Sequence, residues 1–319
     1  MTSATATAVE TLPRRVFGRT GQRVPILGMG TGPGGMGLSD AAAIELYEMA
    51  IDRGVTYIDT APGYERAHRQ LRQVVPRRRD EIFLVTKSAS ADGAQAVALL
   101  EQSLRDLGTD AVDLCYVHSL GNLDADRVLA ADGALAGLRE ARRRGLTRFV
   151  GFTAHSRPDL ALRVLREVEV DAVMVALNFA DHHTYGFDRT VLPAAMAQGA
   201  GVAAMKVYGG ALAMEYHAQA DEDGRPSALR AADAAFDHER ALRWALGLEG
   251  VSLAVVGMYS AAELDRNIQW AQRWQRLSAA EQEALLAEGH RFAAAWGTHY
   301  GPARQEPLWR RLAHKLLRR

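Results

Sequence analysis

Eight short apolar stretches, each followed by a segment of helical character, recur along this 319-residue chain and restrict it to an α/β architecture with a parallel sheet. The strand-like stretches fall near residues 26–31, 55–60, 82–88, 112–118, 148–153, 172–178, 201–208 and 252–258. The helices begin near 40, 65, 93, 132, 158, 188, 237 and 260. Both faces of the strands are apolar, as a sheet buried on both sides requires. Eight such units suit an (α/β)8 TIM barrel, a fold that commonly takes a chain of this length. Ahead of the first strand, RVFGRTGQRVP reads as a β-hairpin turning at RTGQ and plugging the barrel bottom. After the last unit, SAAEQEALLAEGHRFAAAW reads as an extra C-terminal helix opened by a capping box from Ser278 to Glu281. No composition break marks a second domain, so the expectation is a disordered lead over residues 1–14 and a single barrel domain over 15–319.

With 38 basic and 38 acidic residues the formal net charge is zero, which gives no electrostatic case for nucleic acid or an anionic membrane surface as partner. No stretch approaches the roughly 20 apolar residues of a membrane span. The opening MTSATATAVETLP lacks the basic start and apolar centre of a secretory signal. The single cysteine, Cys115, sits inside VDLCYVH and reads as a buried strand residue. With no second cysteine there is no disulfide within the chain, and a cytoplasmic location is expected.

Three of the runs, VTYIDT, IFLVTK and VDLCYVH, carry Asp59, Lys87 and His118 at their ends, and Tyr64 follows shortly after the first. Active-site groups of α/β barrels lie at this end of the strands. The four residue types suit delivery of a proton to a carbonyl oxygen. A tyrosine with an ordinary pKa near 10 is a poor acid at neutral pH unless a neighbouring cation favours its phenolate. Lys87 can supply that cation, Asp59 can hold it charged and in place, and His118 can hydrogen-bond the substrate oxygen while Tyr64 gives the proton. None of the four is a hydride source, so the hydride would come from a bound nicotinamide.

Other readings compete. Gly30, Gly32 and Gly35 in GMGTGPGGMG satisfy G-x-G-x-x-G between a strand and a helix, with Asp59 as a ribose-binding acid, which would make the chain a Rossmann-type dehydrogenase. That reading leaves Lys87 and His118 unexplained. Asp181, His182 and His183 invite a metal, although adjacent histidines seldom both reach one ion, and no metal is expected. Lys206 at the seventh strand end raises a Schiff-base lyase, which would leave Tyr64 and His118 without roles.

The Asp-x4-Tyr spacing in DTAPGY and the VTK and YVH strand ends resemble the aldo-keto reductases, and so do RRVFGRTGQRVPILGMGT, GLTRFVGFTAHS and VVGMYSAAELDRNI. The likeness runs from about Arg15 to Asn267. It implies a barrel, a small-molecule carbonyl substrate, an NADP(H) or NAD(H) cofactor extended across the strand ends, and Tyr64 as general acid. The glycine run then becomes an open loop at the mouth, with Gly30 and Thr31 beside the nicotinamide. Some relatives of the family are cofactor-binding regulatory subunits with little turnover, an alternative that the intact four-residue site opposes.

The resemblance also implies cofactor contacts. Thr153 and His155 stand where the family holds the nicotinamide carboxamide, although His155 could instead cap the next helix. Met174 replaces a common glutamine four residues before Asn178, and Asn178 and Lys206 are counted as cofactor contacts. The loop 209–235 would form a flap over the cofactor. The C-terminal segment with Trp296, His299 and Tyr300 would shape the substrate pocket, and Trp309, Leu312 and Leu316 form an apolar stripe on a terminal helix. For coenzyme choice, Gly257 or Met258 and then Glu263 occupy places where family members preferring the 2′-phosphate carry basic residues. Arg266 could compensate, Asn267 closes the motif, and a weak lean toward NADH or relaxed preference follows, with surface positions on the helix as the bland alternative for Glu263 and Arg266.

Overall fold

The computed structural model describes residues 11–210 and 236–304. Strands β1 (Arg14–Val16) and β2 (Arg23–Pro25) pair antiparallel as a hairpin. Eight further strands follow: β3 (Leu27–Gly30), β4 (Tyr57–Asp59), β5 (Phe83–Ser88), β6 (Val112–Val117), β7 (Thr147–Ala154), β8 (Ala172–Ala176), β9 (Gly201–Met205) and β10 (Val251–Gly257). They pair in parallel in chain order, and β10 closes on β3 to complete a barrel. An open Rossmann sheet is thereby excluded.

Side chains on a strand alternate between faces, and here the inward set is legible. Tyr57, Phe83, Val85, Leu114, Tyr116, Met174, Ala203, Met205, Leu253 and Val255 form one buried cluster inside the barrel. Aliphatic side chains on the other face pack beneath the surrounding helices in a second, larger cluster. The hairpin closes the bottom as expected. Phe17 enters the barrel fully buried, edge-on to Tyr57 and Phe83 at 5.9 and 6.0 Å between ring centroids. Gly201 makes room for it, because a β-carbon there would lie 2.5 Å from Phe17 Cδ2.

Helices begin within a few residues of their expected starts, several on side-chain caps: Ser39 accepts from Ala42 N, Asp92 from Gln95 N and Asp237 from Arg240 N. The helix expected near 65 is split into Ala67–Leu71 and Val75–Arg78, with Pro76 in the first turn of the second piece. Ser278 and Glu281 form the expected capping box on the helix Ala279–Trp296.

Two expectations change. GMGTGPGGMG is not an open loop; after β3 it winds into a helical turn, Gly32–Gly37. Its glycines serve close packing, since β-carbons at Gly34 and Gly35 would lie 2.0 Å from Tyr47 Oη and 2.0 Å from the Tyr64 carbonyl oxygen. The hairpin also starts one residue ahead of the expected boundary at 15, and Leu12 before it is already buried. Residues 1–10, the 211–235 part of the expected flap and the tail carrying Trp309, Leu312 and Leu316 lie outside the described residues.

Candidate active site

The inward alternation that fills the barrel continues to its upper end, where polar residues replace apolar ones. Tyr57 leads to Asp59 on β4, Phe83 and Val85 to Lys87 on β5, and Leu114 and Tyr116 to His118 just past β6. Lys87 is 1% exposed, and each of its three ammonium donors has a partner. One reaches Asp59 Oδ2 at 2.6 Å, one the Thr60 carbonyl oxygen at 2.9 Å, and the third Tyr64 Oη at 3.2 Å. Tyr64 comes from the turn after β4, closed by the bonds from Tyr64 N to Ala61 O and from Ala67 N to Tyr64 O. The packed glycines hold this turn from the far side. The Lys87 ammonium also lies 4.8 Å from the Tyr64 ring centre, and His118 stands edge-on to that ring at 6.3 Å.

Burial pushes the Asp59 carboxyl up and the Lys87 ammonium down, and each residue opposes the shift of the other. At 2.6 Å apart, each favours the charged form of the other against its burial. Burial, reinforced by the positive charges of Lys87 and Lys206, pushes His118 down to about 3. His118 is thus a neutral imidazole at physiological pH, able to donate a hydrogen bond but carrying no acidic proton to give.

A second group of side chains continues the rim. Thr153 Oγ1 accepts from Ser119 N at 2.8 Å, and Ser119 Oγ lies 3.3 Å from His155 Nδ1. His155 is 6.3 Å from His118 and 6.1 Å from Tyr300, ring centre to ring centre. Burial first, and then the charge of Lys206, pushes His155 well below its usual value. His155 does not cap the next helix, Pro158–Glu167, which follows Arg157 with no side-chain cap. Tyr300 is tied down by its hydroxyl to Gly209 O at 2.7 Å and by its amide to Tyr185 Oη at 2.8 Å. The only described residues besides glycine with positive φ are Glu65, Ser119, Arg157 and Lys206, each in or beside this rim. Strained backbone of this kind gathers at functional sites.

The expected cofactor residues divide. Thr31 is fully buried, with its amide and hydroxyl both on the Asp59 carbonyl oxygen, next to Gly30, which pairs with Asp59 and Gly257 across the strands. Asn178 is committed to the protein: its amide nitrogen donates to Asp181 Oδ2 and Lys206 O, and its oxygen accepts from Ala180 N and Asp181 N. It has no donor left for a carboxamide. Met174 fills the barrel interior and Met258 the outer core, both buried. Glu263 is buried rather than on the surface, and its carboxylate accepts from Tyr259 N at 2.8 Å while Ser260 Oγ accepts from Glu263 N. With its amide on the Ser260 cap and its carboxylate on Tyr259 N, it braces the start of the helix Ala261–Gln272. Asn267 is buried between Tyr208 Oη and the Glu263 carbonyl, and Arg266 beside it is partly exposed.

Asp181, His182 and His183 point to separate partners: Asn178 and His299, Asp188, and the Leu286 carbonyl oxygen. Ser119, which links Thr153 to His155, is the site residue the sequence did not single out; its place directly after His118 is the only cue.

A model of the Aldo/keto reductase family matches residues 26–285. The chain belongs to the aldo/keto reductase family. Among its curated relatives, D-threo-aldose 1-dehydrogenase of a Pseudomonas species is 28% identical over 243 residues, covering 64% of this chain and 71% of the relative. A solved structure from Pseudomonas aeruginosa, described as an aldo-keto reductase, superposes with a TM-score of 0.65 at 27% identity, covering 83% of this chain and 97% of the other. An aldo-keto reductase from Klebsiella pneumoniae, solved in complex with NADPH, shares the fold with a TM-score of 0.66 at 21% identity, covering 89% of this chain and 96% of that one. Among the described residues no helix is long and apolar enough to cross a membrane.

Proposed function

We propose that this chain reduces an aldehyde or ketone to an alcohol with NADPH or NADH, with Tyr64 as proton donor. The family supports the reaction class, and the third Lys87 donor on Tyr64 Oη is the observation that carries the assignment of the acid. The phenol oxygen is the acceptor of that bond, so the proton it can give is its own. As the proton leaves, the ammonium stabilises the negative charge developing on the oxygen. Asp59 keeps that ammonium charged, and the Thr60 carbonyl keeps it in position. His118, neutral, donates a hydrogen bond to the substrate carbonyl oxygen and orients it toward Tyr64.

The residues fit a nicotinamide cofactor at the mouth. Asp59 Oδ1 and Thr60 Oγ1 are buried there without a hydrogen-bond partner among the described residues, and so is His238 Nε2 beside Tyr208. Thr153 and His155 at the end of β7, the backbone at Gly30 and Gly257, and Arg266 would hold it. When bound, the reduced cofactor supplies the hydride that adds to the carbonyl carbon.

The test is to follow absorbance of the reduced cofactor while presenting aldehydes, ketones and keto-sugars, with NADPH and NADH in parallel. Continuous oxidation with an aldehyde or ketone is expected. A single slow loss of absorbance equal to the protein concentration, with every carbonyl compound, would instead show a cofactor-binding regulatory subunit.

A further inference from the structure

The rim of the site is an arc of four rings with a lysine at each end. Tyr64, His118, His155 and Tyr300 follow one another at 6.3, 6.3 and 6.1 Å between centroids. Lys87 lies over the first ring and Lys206 over the last, its Nζ 5.9 Å from the Tyr300 centre. The two lysines differ in burial. Lys87 is buried with all three donors used on Asp59, Thr60 and Tyr64. Lys206 is partly exposed at the end of β9, in left-handed backbone at φ 57°. That conformation is locked, because the Lys206 carbonyl oxygen accepts from Asn178 Nδ2 at 3.0 Å and from Gly209 N at 2.8 Å. A non-glycine residue held this way at a barrel mouth indicates a side chain whose placement matters.

Resting on the reductase reading, we propose that Lys206 selects carbonyl compounds bearing a second, anionic group, a carboxylate or a phosphate. The anion would sit at the Lys206 end of the arc while the carbonyl oxygen lies between Tyr64 and His118. An ammonium has three donors, so an anion adds to the contacts Lys206 makes within the protein. Both imidazoles between the ends are neutral, so they line the path with hydrogen-bonding groups without attracting the anion away from the lysine.

The experiment uses pairs matched except for the anionic group: succinic semialdehyde against butanal for a carboxylate, and glyceraldehyde 3-phosphate against glyceraldehyde for a phosphate. The reading is the ratio of kcat/KM within each pair, for the wild type, Lys206→Gln and Lys206→Arg. The wild type should favour the anionic member of at least one pair by tenfold or more, chiefly through KM, and which pair identifies the anion. Lys206→Gln should lower that ratio at least tenfold, and Lys206→Arg should keep most of it. A ratio near one in the wild type, or one that Lys206→Gln leaves unchanged because both members fall together, would overturn the proposal while leaving the reductase reading intact. No turnover of any of the four by a protein that turns over other aldehydes or ketones would overturn the proposal alone, and no turnover of any carbonyl compound would overturn both.

Discussion

Lys87 donates to Tyr64 Oη at 3.2 Å with its other two donors fixed on Asp59 Oδ2 and the Thr60 carbonyl. The ammonium cannot turn away from the phenol without breaking a buried ion pair. Lys87→Met should therefore cost more kcat/KM than Asp59→Asn, since the asparagine variant retains the Thr60 and Tyr64 bonds. Asp59→Asn should also change the pH profile. Burial alone pushes Lys87 down, and the Asp59 charge opposes this, so the variant should lose activity as pH rises while the wild type holds it. Equal losses for both variants, or an Asp59→Asn profile parallel to the wild type, would contradict this division of roles.

Stability should fall on acidification. His68 is buried, with its Nε2 3.4 Å from Thr86 Oγ1, and burial pushes it from 6.5 to about 4. Between those values the unfolded chain takes up a proton that the folded chain refuses, so stability is lost as pH falls through that window. The slope is at most about 1.4 kcal/mol per pH unit for one such group. Thermal melting from pH 7 to 4 should show a falling Tm, less steeply in His68→Gln. Identical slopes would remove His68 from the account.

Glu263→Arg should destabilise the protein rather than switch its coenzyme. The carboxylate is buried on the Tyr259 amide, and losing a hydrogen bond to a charged group costs about 1.5–3 kcal/mol, before any cost of burying a guanidinium. The expected readout is a lower Tm with less than a tenfold change in the ratio of NADPH to NADH dissociation constants. A larger shift toward NADPH at unchanged Tm would restore Glu263 to the coenzyme site.

Phe17→Ala should weaken the fold by about 3–5 kcal/mol, because the ring is fully buried at the barrel bottom and edge-packed on Tyr57 and Phe83. Urea unfolding would measure it, and a loss below 1 kcal/mol would show that the hairpin is not a structural plug.

The barrel and the Asp59, Lys87 and His118 positions were legible because strands alternate with period two and chemistry at barrel mouths begins where that alternation turns polar. Tyr64 was legible from its spacing after Asp59. The glycine run was misread because composition alone suggests a loop, whereas Gly34 and Gly35 answer to Tyr47 and the Tyr64 backbone, partners distant in sequence. Glu263 was read for its family position, although Ser260-x-x-Glu263 is also a helix-start signal, and the structure buries its carboxylate on the Tyr259 amide. Asn178 could not have been judged, since its saturation depends on the Lys206 carbonyl, which approaches only in the folded chain. The positive φ of Ser119 and Lys206 was equally hidden, because neither residue type favours that conformation.

The most direct test of Tyr64 as the acid is single-turnover reduction by Tyr64→Phe, with cofactor binding measured separately by tryptophan fluorescence. Phenylalanine keeps the ring that stands edge-on to His118 and removes only the hydroxyl held by Lys87. Cofactor affinity within a few-fold of wild type and a hydride-transfer rate down by about 10²- to 10⁴-fold are expected. A variant that binds cofactor and keeps more than a tenth of the wild-type rate would place the proton donor elsewhere.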